Sequence, residues 1–180
     1  SAAFVGSAAA QNIVTNPDFE TGDLTAWEVA GGNANAVVTV VAENGPSAPG
    51  SFAAFLDNQS EAVGLTMKQP TPVGSAGEGT CYYSFDLKLG QAELGGVFFV
   101  EIFAEQEGVG IIGGSGLMGN FAPADWTTIQ GNFPTPVNTD FVTIQFTAVT
   151  GAVVGGSSSM YVDNVSLDFR GTIPTDDMSM

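Results

Sequence analysis

Tyr161-Val162-Asp163-Asn164-Val165-Ser166-Leu167, near the end of the chain, reads as a β-strand. Apolar and small polar residues alternate along it, the pattern of a pleated ribbon with one face turned inward. A single carboxylate, Asp163, interrupts the apolar face. A buried carboxylate without a partner is costly. The chain holds only three Lys and Arg, so the partner this residue asks for is a metal ion. A stretch near the other end belongs with it: Asn16-Pro17-Asp18-Phe19-Glu20-Thr21-Gly22, with Leu24 and Trp27 just beyond. Asn-Pro-Asp is turn chemistry, followed at once by an acid and a glycine.

Working outward from these two stretches, period-2 alternation and turn punctuation predict strands at about residues 12–14, 26–30, 36–42, 51–57, 62–69, 80–89, 97–105, 127–133, 141–149 and 159–169. The cleanest is 141–149, where Val142, Ile144, Phe146 and Ala148 face one way and Thr143, Gln145 and Thr147 the other. In 80–89, Tyr83, Phe85, Leu87 and Leu89 oppose Ser84, Asp86 and Lys88. Helical periodicity is missing. Short strands with Gly and Pro at the joints imply two packed sheets. Residues 108–119, apolar and Gly-rich, read either as an edge strand with a loop or as an exposed interaction patch. The side chains expected between the sheets are Phe19, Trp27, Phe55, Phe85, Val100, Ile129, Phe133, Ile144, Phe146, Val165 and Leu167.

Composition narrows the function. Net charge is −16 and there is no His, so no basic face exists for nucleic acid or for an anionic membrane surface. No stretch reaches the roughly 18 apolar residues of a membrane span. So acidic a chain self-repels unless cations screen or bind it. Cys81, the sole cysteine, lies in an apolar strand and reads as a small buried hydrophobe. Ala8-Ala9-Ala10 before Gln11 looks like a signal-peptidase site, which points to a secreted or cell-surface protein. Asn58 and Asn164 both fit the glycosylation acceptor pattern, Asn58 the better of the two.

The two opening stretches, together with Trp126-Thr127-Thr128-Ile129-Gln130-Gly131-Asn132-Phe133-Pro134-Thr135-Pro136, resemble the signature of jelly-roll carbohydrate-binding modules and their galactose-binding-like relatives. The resemblance runs from about Asn12 to Phe169. It implies a single antiparallel β-jelly roll over residues 12–170, with an extended segment at 1–11 and a tail at 171–180. It also implies core places for Trp27 and Trp126. Finally it implies a structural calcium held by Glu20 and Asp163, with backbone carbonyls of the first strand and the Ser51 region completing the shell.

Three functions remain to be weighed. Glu101, Asp86, Glu105 and Glu107 sit in no recognisable catalytic motif, and the usual nucleophiles and bases are missing, so no enzyme is expected. For sugar, the one Trp or Tyr ring not placed in the core or at a family position is Tyr82, with Asn58 and Gln59 as helpers. For assembly, residues 1–10 carry no charge. Such a segment, anchored by Phe4 and Val5, can add as a strand to the free sheet edge of a neighbouring copy and build a homopolymer. The leading expectation is therefore a structural subunit of an extracellular fibre, sheath or surface layer; the alternative is a secreted carbohydrate-binding module with a polysaccharide partner.

Overall fold

The computed structural model describes residues 11–43, 45–46, 50–119 and 124–171. They form strands β1 (Glu28–Gly31), β2 (Ala36–Val41), β3 (Ala53–Asn58), β4 (Gly64–Pro70), β5 (Gly79–Glu93), β6 (Val97–Gln106), β7 (Gly110–Gly114), β8 (Met118–Gly119), β9 (Thr127–Thr135), β10 (Phe141–Val149) and β11 (Ser157–Gly171), with no helix among the described residues. A six-stranded sheet runs β1-β4-β10-β6-β7, with β8 also on β6; a five-stranded sheet runs β2-β3-β11-β5-β9. Every pairing is antiparallel. The two sheets pack face to face as a jelly-roll sandwich.

Alternation explains the packing. From β10, Val142, Ile144, Phe146 and Ala148 are fully buried, and Val100, Ile102 and Ala104 of β6 lie beside them. Phe85, Leu87, Val162, Val165 and Leu167 come from the opposing sheet. Aromatic contacts cross the interior: Phe19 to Trp27 (5.4 Å), Trp27 to Phe146 (6.1 Å) and Phe146 edge-on to Phe85 (5.4 Å). Buried amides close the seams. Asn58 donates to the carbonyls of Val63 and Ala148 at 2.8 and 3.0 Å, and Gln69 makes a reciprocal pair with the backbone of Thr15. Cys81 is buried, and desolvation pushes its thiol up to about 12.

Several expectations change. Residues 12–14 form no strand; Ile13 donates to the Leu167 carbonyl while Asn12 accepts from the Leu167 amide and donates to the Val165 carbonyl. Phe55 points out of the sandwich and stacks on Tyr161 at 4.4 Å; Ala54 and Leu56 take the inward places of β3. Trp126 is likewise outside the core and half-buried, because Phe133 and Ile129 occupy the inward side of β9. Residues 108–119 supply the edge strand β7 and the short β8, and leave Val109, Ile111 and Leu117 exposed. Asn58 is buried with its amide committed, so it is no glycosylation site. It also pairs with Ser158 and Ala36, away from Tyr82.

Candidate functional site

Glu20 and Asp163 hold the two ends of one connection, the segment from β2 to β3. Asp163 Oδ2 accepts the Gly45 amide at 2.6 Å, and Glu20 Oε1 accepts the amides of Ser51 and Phe52 at 2.6 and 2.9 Å. Asp163 does not face the core. It sits in register with Asp86, between the inward Phe85 and Leu87, so both carboxylates lie on the outer face of the five-stranded sheet. They are buried there because the strap at Gly45 passes over them; a Cβ on Gly45 would collide with the Asp86 side chain. A bulge after Asp163, with Asn164 at φ 51°, turns the Asn164 amide groups onto both acids. Thr128 donates to Asp86 at 2.6 Å. Desolvation pushes Asp163 up to about 6, and the charges of Asp86 and Asp18 add to it, against the pull of the Gly45 and Asn164 amides.

The donor chemistry suits calcium, which takes carboxylate and carbonyl oxygens. Among the described residues no three acidic, His or Cys side chains converge, so carbonyl or amide oxygens would have to supply most of a shell. One unsatisfied oxygen lies in the same turn as Glu20: Asn16 Oδ1 is buried without a hydrogen-bond partner, its amide nitrogen being committed to the Asp23 carbonyl at 3.0 Å. The anchors Phe4 and Val5 lie outside the described residues.

The outer face of the six-stranded sheet carries a feature that sequence reading passed over. Glu28, Lys68, Gln145 and Glu101 stand in register across β1, β4, β10 and β6. Lys68 reaches Glu28 at 3.4 Å and Gln145 donates to Glu101 at 3.0 Å. Flanking rows run Thr66-Thr147-Phe99 and Pro70-Thr143-Phe103. Phe99 and Phe103 are half-buried and pair with Gly119 and Gly114 on the side away from β10, so on that side no paired side chain flanks either ring. The outward set Thr143, Gln145 and Thr147 was legible in the alternation; its alignment with Lys68 and Glu101 was not.

Tyr82 lies on the outer face of the other sheet, at the rim of a cleft of about 460 Å³ lined by Tyr82, Tyr83, Ser84, Gln130, Asn132 and Asp168, among others. Further along the same face, Lys88 lies between two rings, its ammonium 4.5 Å from Tyr161 and 5.4 Å from Trp126, with Phe55 stacked on Tyr161 from the next strand. Glu43 accepts from Lys88 at 2.6 Å and from the Trp126 indole at 3.3 Å; the Lys88 bond, first, and the Trp126 bond hold its carboxyl below the usual range.

No protein-family model and no curated protein matches the sequence. Solved structures match in shape. The enzymatically active domain of tailspike protein 4 from bacteriophage CBA120 has a TM-score of 0.70 and 13% identity over 87% of this chain, but only 21% of its own. A CBM61 module solved with β-1,4-galactotriose has a TM-score of 0.60 and 18% identity, covering 88% of this chain and 98% of that one. A family 11 carbohydrate-binding module from Clostridium thermocellum, solved with a β-1,3-1,4-mixed-linked tetrasaccharide, has a TM-score of 0.58 and 18% identity over 92% and 98%. The chain thus spans about a fifth of that tailspike domain and nearly all of each module. The fold is the jelly-roll β-sandwich of carbohydrate-binding modules.

Proposed function

We propose that the chain is an exported, non-catalytic carbohydrate-binding module whose glycan lies across the outer face of the six-stranded sheet. One observation carries the reading: the in-register row Lys68-Gln145-Glu101, bordered by Phe99 and Phe103. Strand spacing of about 4.8 Å spreads the four-residue row from Glu28 to Glu101 over about 14 Å, the scale of an oligosaccharide. A carboxylate, an amide and an ammonium offer both acceptors and donors to hydroxyl groups, and the open rings offer apolar faces to sugar C–H groups. The acidic surroundings favour a neutral glycan over an anionic one. The sandwich shared with modules solved in complex with oligosaccharides supports the same reading. Nothing among the described residues favours assembly by strand donation. Asn12, Ile13 and Val14 pack into their own domain.

The reading includes a structural calcium held by Glu20 and Asp163; when bound, the ion would add positive charge where the strap meets β11. The binding test is calorimetric titration with galactotriose, mixed-linkage tetrasaccharide and a panel of neutral hexose oligomers. At least one should bind, and Gln145→Ala or Glu101→Ala should weaken it about tenfold or more. Unchanged affinity in both variants would remove the row from the site; no binding by the wild type would end the carbohydrate reading.

A further inference from the structure

The cleft at Tyr82 has a shape and a chemistry that the sandwich does not need. Two register rows build it: Ser166-Ser84-Gln130 and Asp168-Tyr82-Asn132. Ser84, Gln130, Asn132 and Ser166 have side chains that make no hydrogen bond to another described residue. Four uncommitted hydroxyl and amide groups on adjacent, paired strands are rigidly spaced, since strands hold a constellation better than loops. Behind the floor of the cleft, on the inward face, the Tyr83 hydroxyl occupies the place a Cβ at position 131 would take, and the Tyr83 ring is stacked on Phe85 at 5.9 Å. Tyr82, 37% exposed, is held from one side by the Arg170 guanidinium 4.4 Å from its ring centre. That guanidinium is in turn bonded to Asp168 at 2.9 and 3.0 Å. The ring is thus oriented in advance, at little further cost in entropy on binding.

We propose that this cleft is a second saccharide site, on the face of the sandwich opposite the Lys68-Gln145-Glu101 row, so that one molecule bridges two glycan chains. The proposal rests on the carbohydrate reading above and adds to it a place, a ligand class and a valency. The ligand is a neutral saccharide. Ser84, Gln130, Asn132 and Ser166 pair with vicinal hydroxyls as donors and acceptors, Asp168 accepts from a further hydroxyl, and the Tyr82 ring packs on a sugar face. An anionic glycan is disfavoured because Arg170 is already neutralised by Asp168 and the chain as a whole is at −16. Two sites on opposite faces cannot both be filled by one short oligomer. They act instead on polymers, where two weak contacts combine into one strong attachment.

The test uses the full chain, isotope-labelled, titrated with the neutral oligosaccharide that binds best in the panel above. Amide shifts should move in two sets, one around Gln145 and one around Asn132, and calorimetry should give two equivalents of ligand. Tyr82→Ala with Asn132→Ala should silence the second set, weakening that site about tenfold or more, and leave the first. Gln145→Ala should do the reverse. Circular dichroism confirms that each variant is folded, and Gln130→Ala serves as an independent cleft variant should the double variant unfold. A single set of shifts around Gln145, with one equivalent bound, overturns the second site while leaving the carbohydrate reading intact. No shifts with any panel member overturn both.

Discussion

Asp163 is the residue whose environment says most. Its carboxyl is raised from 3.8 to about 6, first by burial. The folded chain therefore holds that proton more tightly than the unfolded one, and protonation favours folding. Taken alone, this group's contribution is fully present below about pH 4, is lost as the pH rises toward 6, and is absent beyond. In a calcium-free buffer the gap in Tm between Asp163→Asn and wild type should shift in the variant's favour between pH 4 and pH 7. An offset that stays constant across that range would show that Asp163 does not titrate there. Comparing the two proteins cancels the opposite trend from Asp23 and Glu43, whose carboxyls are held low by hydrogen bonds from Thr25 and Lys88. The two tryptophans make a second residue-scale prediction. Trp27 is buried against Phe19 and Phe146 and bonds the Asn16 carbonyl at 3.1 Å, so Trp27→Ala should cost about 3–5 kcal/mol. Trp126, half-buried on the outer face, should cost about 1–2 kcal/mol. Urea denaturation of both variants checks the order, and equal losses would contradict the placement of Trp126. The family-like spacing places Trp126 at the start of its strand correctly. The side it faces depends on the neighbour that fills the inward position.

At the scale of elements, the strap between β2 and β3 is tied down through its backbone: the Gly45 amide donates to the buried Asp163. Glu20 holds its far end through Ser51 and Phe52. Glu20→Ala should therefore speed amide exchange at Ser51 and Phe52 well above that of the β10 amides, with the circular dichroism spectrum unchanged; protection that stays as in wild type would mean the strap is held by other contacts. β10 shows how far alternation reaches. Its bounds and both its faces were legible, because a two-residue period belongs to each strand separately. β3 is the counter-example: Ala53, Ala54, Phe55 and Leu56 offer no clean period, so alternation does not say which side Phe55 takes. β7 and β8 lie in a Gly-rich run that carries almost no alternation to follow.

At the scale of the whole molecule, 19 acids against three bases leave a surface that cations would quiet. If calcium is held at Glu20 and Asp163, chelation should lower Tm and added calcium restore it. Saturation at a hundred times the dissociation constant is worth about 2.7 kcal/mol. Asp163→Ala should abolish that response, and a wild-type Tm indifferent to chelator would remove the ion from the reading. The two-sheet sandwich, its strand count to within two, and the inward faces of β5 and β10 follow from the amino-acid sequence alone, and the motif resemblance adds the jelly roll. Hydrophobic alternation, turn residues and motif spacing are local properties, written residue by residue. The two binding surfaces do not follow from it. One gathers positions 28, 68, 101 and 145, the other positions 82–84, 130–132 and 166–168, and their alignment depends on sheet order and register. Those are settled by how distant strands pack their buried faces together, and no local pattern of side chains records them.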